Sequence, residues 1–154
     1  MNNFKIKSYA KINLALNVTG KKSKLHNIES LVSFIDLHDL ITLRESNTKQ
    51  HKINFFGKFS KNISKINTIS KLLKILDNKK LLNNRKFTIR IIKNIPQKAG
   101  MGGGSMNAAS LLNFFIEKKK IKIKKDELKK ISNEIGSDVI LGIKPSSAIL
   151  LSNG

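Results

Sequence analysis

The stretch from Ile95 to Ala109, reading IPQKAGMGGGSMNAA, holds four of the nine glycines of the chain, at Gly100, Gly102, Gly103 and Gly104. Ser105 follows, and then apolar residues at helical spacing: Ala108, Ala109, Leu111, Leu112, Phe115 and Ile116. The pattern predicts a helix with Ser105 as its N-cap, entered through glycines that let the backbone turn sharply. The first N–H groups of a helix have no internal partner and carry the positive end of its dipole. A glycine loop opening such a helix is a phosphate site. A glycine-rich surface turn is the alternative. Pro96 at the start, the Ser cap and the small Ala108–Ala109 pair argue for the loop-to-helix reading. Two familiar phosphate loops are excluded. The P-loop ends in Gly-Lys-Ser/Thr, and here Gly104 runs directly into Ser105. The dinucleotide fingerprint needs a third glycine where Ser105 stands. The protein-kinase glycine loop comes with His-Arg-Asp and Asp-Phe-Gly signatures, and neither is in the chain.

Three further segments carry reactive side chains. Lys11 and Asn13 lie in the apolar run SYAKINL, His26 precedes the strand-like IES, and Asp138 follows Gly136 and Ser137. Singly, each has a structural reading. Lys11 snorkels from a strand edge, His26 belongs to a surface loop, and Asp138 caps the next element.

The elements that must position these residues follow from periodicity. Residues 4–19 read as strand, turn and strand, and 20–24 as a turn. Ile28–Ile35 and Leu40–Leu43 read as two strands joined around Asp36–Asp39, and His51–Phe56 as a fifth strand. A helix is expected near 67–82, a strand over Phe87–Ile92, the glycine loop and its helix next, then a helix from Asp126 to Gly136 and a strand over 148–151. The first turn of that last helix carries Asp126 and Glu127, as the dipole favours. No repeat or linker is visible. The expected fold class is α+β: a mostly antiparallel sheet with helices packed on one side.

With 154 residues the chain is one domain with a sizeable core, and its 40% hydrophobic content separates it from disordered chains. It has no apolar run of 18 residues, no secretory h-region and no cysteine, which fits a cytoplasmic protein. The net charge of +20 invites a nucleic-acid partner. However, 27 of the 30 basic residues are Lys spread along the chain, the others being Arg44, Arg85 and Arg90. Lys, Ile and Asn, which share A/T-rich codons, make up 66 of the 154 residues, so codon drift accounts for the charge without a ligand. A nucleic-acid partner and a membrane partner are not expected, and the oligomeric state is open.

Together the motifs AKINL, His26 before IES, IPQKAGMGGGSMNAA and GSDV resemble, in order and spacing, the GHMP kinase superfamily. The triple-glycine loop and the AKINL opening resemble the branch whose small-molecule substrate carries a cytidine diphosphate group in non-mevalonate isoprenoid synthesis. The resemblance implies an ATP-dependent kinase using Mg²⁺, on the fold of a GHMP N-terminal domain, similar to a ribosomal-protein domain. It implies that Pro96, Ala99, Gly100, Met101, Gly102, Gly103, Gly104, Ser105 and Asn107 bind ATP, Asn107 from the first helical turn. Asp138 would accept the proton of the substrate hydroxyl with Lys11 beside it, and Asn13 and His26 would contact the substrate. No protein metal ligand is implied. Three positions depart from the family pattern: Met106 where a small hydroxyl residue is usual, Leu25 where an aromatic precedes the His, and Ile140 where Pro is usual. Members carry a second, C-terminal domain, so residues 1–154 are expected to be the N-terminal part of a longer protein, with little turnover alone. The competing readings are another GHMP kinase, acting on homoserine, mevalonate or a sugar, and a basic nucleic-acid-binding module.

Overall fold

The computed structural model describes residues 3–22, 25–118 and 120–150. Side chains at 21, 22, 25–28 and 150 lie outside that description. The chain forms β1 (Phe4–Lys22), β2 (Leu25–Ser46), β3 (Lys52–Phe56), α1 (Thr68–Asn78), β4 (Lys86–Ile92), α2 (Gly103–Glu117), α3 (Lys125–Ile135), a short 3₁₀ turn (Val139–Gly142) and β5 (Ala148–Leu150). The sheet order is β1-β2-β4-β3, with β5 added to β2. All pairings are antiparallel except β3 with β4. That parallel pair is connected through α1, as a parallel neighbour requires. The fold is thus α+β with a mostly antiparallel sheet.

Alternation sorts the sheet into two faces. Ile41, Leu43, Phe87, Ile89 and Ile91 point inward and are buried against Leu72 and Leu76 of α1 and Leu111, Leu112 and Phe115 of α2. Lys5, Thr42, Arg90 and Asn54 stand side by side on the open face. The apolar stripe of α1 starts behind Asn67, whose side chain accepts from the N–H groups of Ile69 and Ser70 while Ser70 answers the Asn67 N–H. This capping box fixes where the helix begins. The helix ends at Asn78, earlier than the expected 82, because Lys80, Asn83 and Asn84 take positive φ.

The strands depart from the sequence expectation at the first hairpin. β1 and β2 are each continuous, without the expected turns. What interrupts the alternation is a set of register shifts, between Tyr9 and Ala10, Asn13 and Ala15, and Val18 and Gly20. At the first, Tyr9 pairs His38 but Ala10 pairs Ile35, which leaves Asp36 and Leu37 without partners on β1. The apolar pattern breaks where the ladder bulges, and a bulge imitates a turn in the sequence.

Candidate active site

The loop after β4 reaches α2 through three residues of positive φ: Lys98 at 58°, Gly100 at 72° and Gly102 at 65°. Gly102 occupies the N-cap position, and no side chain caps the helix. Ser105 is therefore not the cap; it lies in the first helical turn. The left-handed conformation that glycine adopts freely brings the chain into the helix three residues early. The first intrahelical bond runs from Met106 N–H to the Gly102 carbonyl at 2.8 Å. The N–H groups of Gly103, Gly104 and Ser105 precede it and give the loop its anion-binding character. On the far side, the Thr68 hydroxyl donates to the Gly104 carbonyl at 2.6 Å, clasping the loop to α1.

Lys11 sits at the mouth of this loop. Its N–H donates to the Met101 carbonyl at 3.1 Å. Its side chain runs so close that a Cβ on Gly102 would lie 2.9 Å from Lys11 Cγ. The ammonium donates to Asn13 Oδ1 at 3.0 Å and pairs with Asp138 at 3.3 Å. Asp138 precedes the 3₁₀ turn but makes no capping bond to it. Its position is set by packing of that turn on α2, where a Cβ on Gly142 would lie 2.6 Å from Ala109 Cβ. Ser105 faces the same corner, since a Cβ on Gly136 would be 3.7 Å from Ser105 Oγ. Met106 is buried between Gly102 and Gly142, so it serves the core rather than the loop's outer surface. Ile140 lies within the 3₁₀ turn, which forms without a proline there.

The structure thus brings together the glycine loop, Lys11, Asn13 and Asp138. Asn107 lies beneath the loop and lines the floor of the cleft beside it. It lies one turn deeper than expected, because the helix starts at Gly103, and it is buried. Its amide donates to Asp39 Oδ2 at 2.9 Å. The backbone of His26 pairs Lys21 near the end of the β1–β2 hairpin; its side chain, like that of Leu25, lies outside the described residues.

Sequence reasoning missed the residues around and beneath the loop. A cleft of about 330 Å³ is walled by the loop from Pro96 to Ser105 and, opposite, by Phe55, Ile63, Thr68 and Ile69. Beneath it, the buried Asp39 carboxylate accepts from the Lys93 ammonium, from Asn107, and from the N–H groups of Asn94 at 2.8 Å and Ile95 at 2.9 Å. The available signal was a pair of opposite charges at the ends of two apolar strands. No group of three or more His, Asp or Glu capable of holding a metal occurs among the described residues.

Fold and site together define an α+β domain with an anion cradle opening beside a lysine–carboxylate pair. The chain belongs to the family described as GHMP kinases N terminal domain, which matches residues 67–149. It is 89% identical over its whole length to a 4-diphosphocytidyl-2-C-methyl-D-erythritol kinase of Pelagibacter ubique (strain HTCC1062), covering 55% of that protein. Over 90% of the chain it is 36% identical to the Clostridioides difficile (strain 630) kinase of the same name, covering 47% of it. A crystal structure of 4-(cytidine 5'-diphospho)-2C-methyl-D-erythritol kinase superposes with a TM-score of 0.74 at 21% identity, over 96% of this chain and 51% of that one. The chain spans about half the length of the curated relatives it matches. No helix among the described residues is long and apolar enough to cross a membrane.

Proposed function

We propose that this chain supplies the ATP-binding half of a cytoplasmic kinase that phosphorylates the 2-hydroxyl of 4-diphosphocytidyl-2-C-methyl-D-erythritol in non-mevalonate isoprenoid synthesis. The observation that carries the reading is the Lys11–Asp138 pair at the mouth of the glycine loop. Phosphoryl transfer needs positioning and neutralisation of charge on the transferred group more than covalent chemistry. In this reading the loop's N–H groups and the dipole of α2 hold the phosphates. Asp138 accepts the hydroxyl proton, and Lys11, fixed by Asn13, compensates the charge that develops on that oxygen. The cleft beside Phe55, Ile63 and Thr68 takes the rest of the nucleotide. Mg²⁺ fits as an ion carried by the phosphates, which takes one or two carboxylates and needs no protein cage. Asp138 and the Ser105 hydroxyl are the groups that would meet it, and it supplies neutralisation of phosphate charge. Asn13 and His26 would face the cytidine-bearing substrate. The 89% identity to the P. ubique kinase, extending over the whole chain, supports this choice of substrate.

The test joins this chain to the part of the P. ubique protein that it does not match. Incubated with MgATP and the cytidine-diphosphate substrate, the joined protein should form a phosphomonoester detectable by ³¹P NMR. A folded protein that binds ATP yet phosphorylates homoserine or mevalonate and not this substrate would overturn the assignment.

A further inference from the structure

We propose that the buried Asp39–Lys93 pair is a positioning device that holds the glycine loop in its anion-binding shape; the inference rests on the nucleotide-binding reading above. Fold stability alone gives the pair no rationale. Two charges removed from water are costly, and apolar residues of similar volume serve a core as well or better. What the pair provides is a bolt across the loop. The donors to Asp39 come from both of the loop's ends: Lys93, Asn94 and Ile95 lie just before it, and Asn107 lies just after it on α2. Among the described residues Asn107 has no other anchor for its side chain, because its Oδ1 is buried and finds no partner there. Its amide is oriented by Asp39. The ammonium of Lys93 lies directly beneath the first turn of α2, where a Cβ on Gly103 would come within 3.3 Å of Nζ. Lys93 and Asn107 also form part of the floor of the cleft. The ammonium and the carboxylate are in contact and nearly cancel in charge, so what the pair gives the cradle is shape: it fixes the chain on both sides of the first turn of α2.

The experiment uses the protein completed to the relatives' length and three variants: Asp39→Asn, Lys93→Met, and the double substitution. Equilibrium binding of MgATP and thermal unfolding are measured on each. Both single variants leave a buried charge unpaired and should lower the melting midpoint. The double variant removes both charges and, through the Asn carbonyl, keeps an acceptor for the N–H groups of Asn94 and Ile95. It should recover most of the midpoint, yet bind MgATP at least tenfold more weakly than the wild type. Stability and affinity are thereby separated even if a single variant does not fold. Wild-type affinity in the double variant would show that the pair only stabilises the fold, and would overturn the inference while leaving the nucleotide reading intact. Failure of the completed wild-type protein to bind MgATP would overturn the nucleotide reading, and this inference with it.

Discussion

The two ends of the β1–β2 hairpin are built differently. At the loop end, Ser8, Ala10, Lys11, Asp39, Ile95 and Asn107 are all buried, and strand, loop and helix are joined by bonds running in several directions. Beyond Asn13 the same strands form a ribbon without a covering layer. Leu14, Leu16 and Val18 are 60%, 52% and 63% exposed. Among the described residues only the short β5 adds to the ladder there, opposite Ser30–Val32. A two-stranded ribbon without a second layer is marginal in water. The difference separates what this chain fixes by itself from what it leaves open. The glycine-loop side is defined by its own packing. The side proposed for the substrate is drawn mainly by strand pairing, with few side-chain bonds, among them Lys11 to Asn13 and Ser30 to the Ala15 carbonyl.

The contrast can be broken at either end. The largest effect is expected for Asp138→Ala in the protein completed to the relatives' length: turnover should fall about a thousandfold, in the range for loss of a proton acceptor. ATP affinity measured alongside should hold, and parallel loss of both in a folded variant would remove Asp138 from its role. Gly142→Ala places a Cβ 2.6 Å from that of Ala109 and should cost about 1–3 kcal/mol by overpacking. Urea unfolding reads that cost. Gly102→Ala adds a side chain at φ 65° against Lys11, at about 1–2 kcal/mol for the left-handed conformation. MgATP affinity should fall with it, and unchanged affinity would show that the loop tolerates distortion at its cap.

A smaller effect is expected from pH. His51 bridges Asp77 and the Phe87 N–H, and burial lowers its pKa, more than Asp77 raises it. A folded-state pKa below the unfolded one means that the unfolded chain takes up the proton first. Stability should therefore decline as pH drops below about 6.5, the ordinary His value. His51→Gln should flatten that dependence in urea midpoints taken between pH 8 and 5. The smallest effect belongs to the ribbon: Leu16→Ser should shift unfolding by no more than about 0.5 kcal/mol, as for an exposed site. A larger loss would mean that the ribbon has packing of its own.

Local spacing made much of the molecule legible in its sequence. The 3.6-residue stripe of α1, the alternation of β4 and the glycine loop are all short-range patterns, and each produced its element. Fine structure was harder to read. Ser105 has the side chain of a cap, but Gly102 has the backbone of one, and backbone freedom decided the helix start. The breaks near Tyr9 and Asp36 resembled turns because turns and bulges interrupt alternation alike. Asp39 and Lys93 were invisible as a pair, since 54 residues separate them and each alone resembles a charge at a strand end. The meeting of Lys11 with Asp138 was legible only through family resemblance, since no periodicity links positions that far apart.

The two unpaired residues Asp36 and Leu37 set a condition on how this chain tolerates insertions and deletions. Ala10 and Lys11 are consecutive, yet both are buried, where strict alternation would bury one. A bulge bends a strand and re-aims side chains. Loss of Asp36 and Leu37 together would keep every other β2 residue on its face and give the hairpin a straighter ladder. It would also remove the bend beside Lys11 and swing its ammonium away from Asp138. The sheet would accept such a gap as an improvement in regularity, while the proposed phosphoryl transfer would register it as the loss of a residue that had not changed.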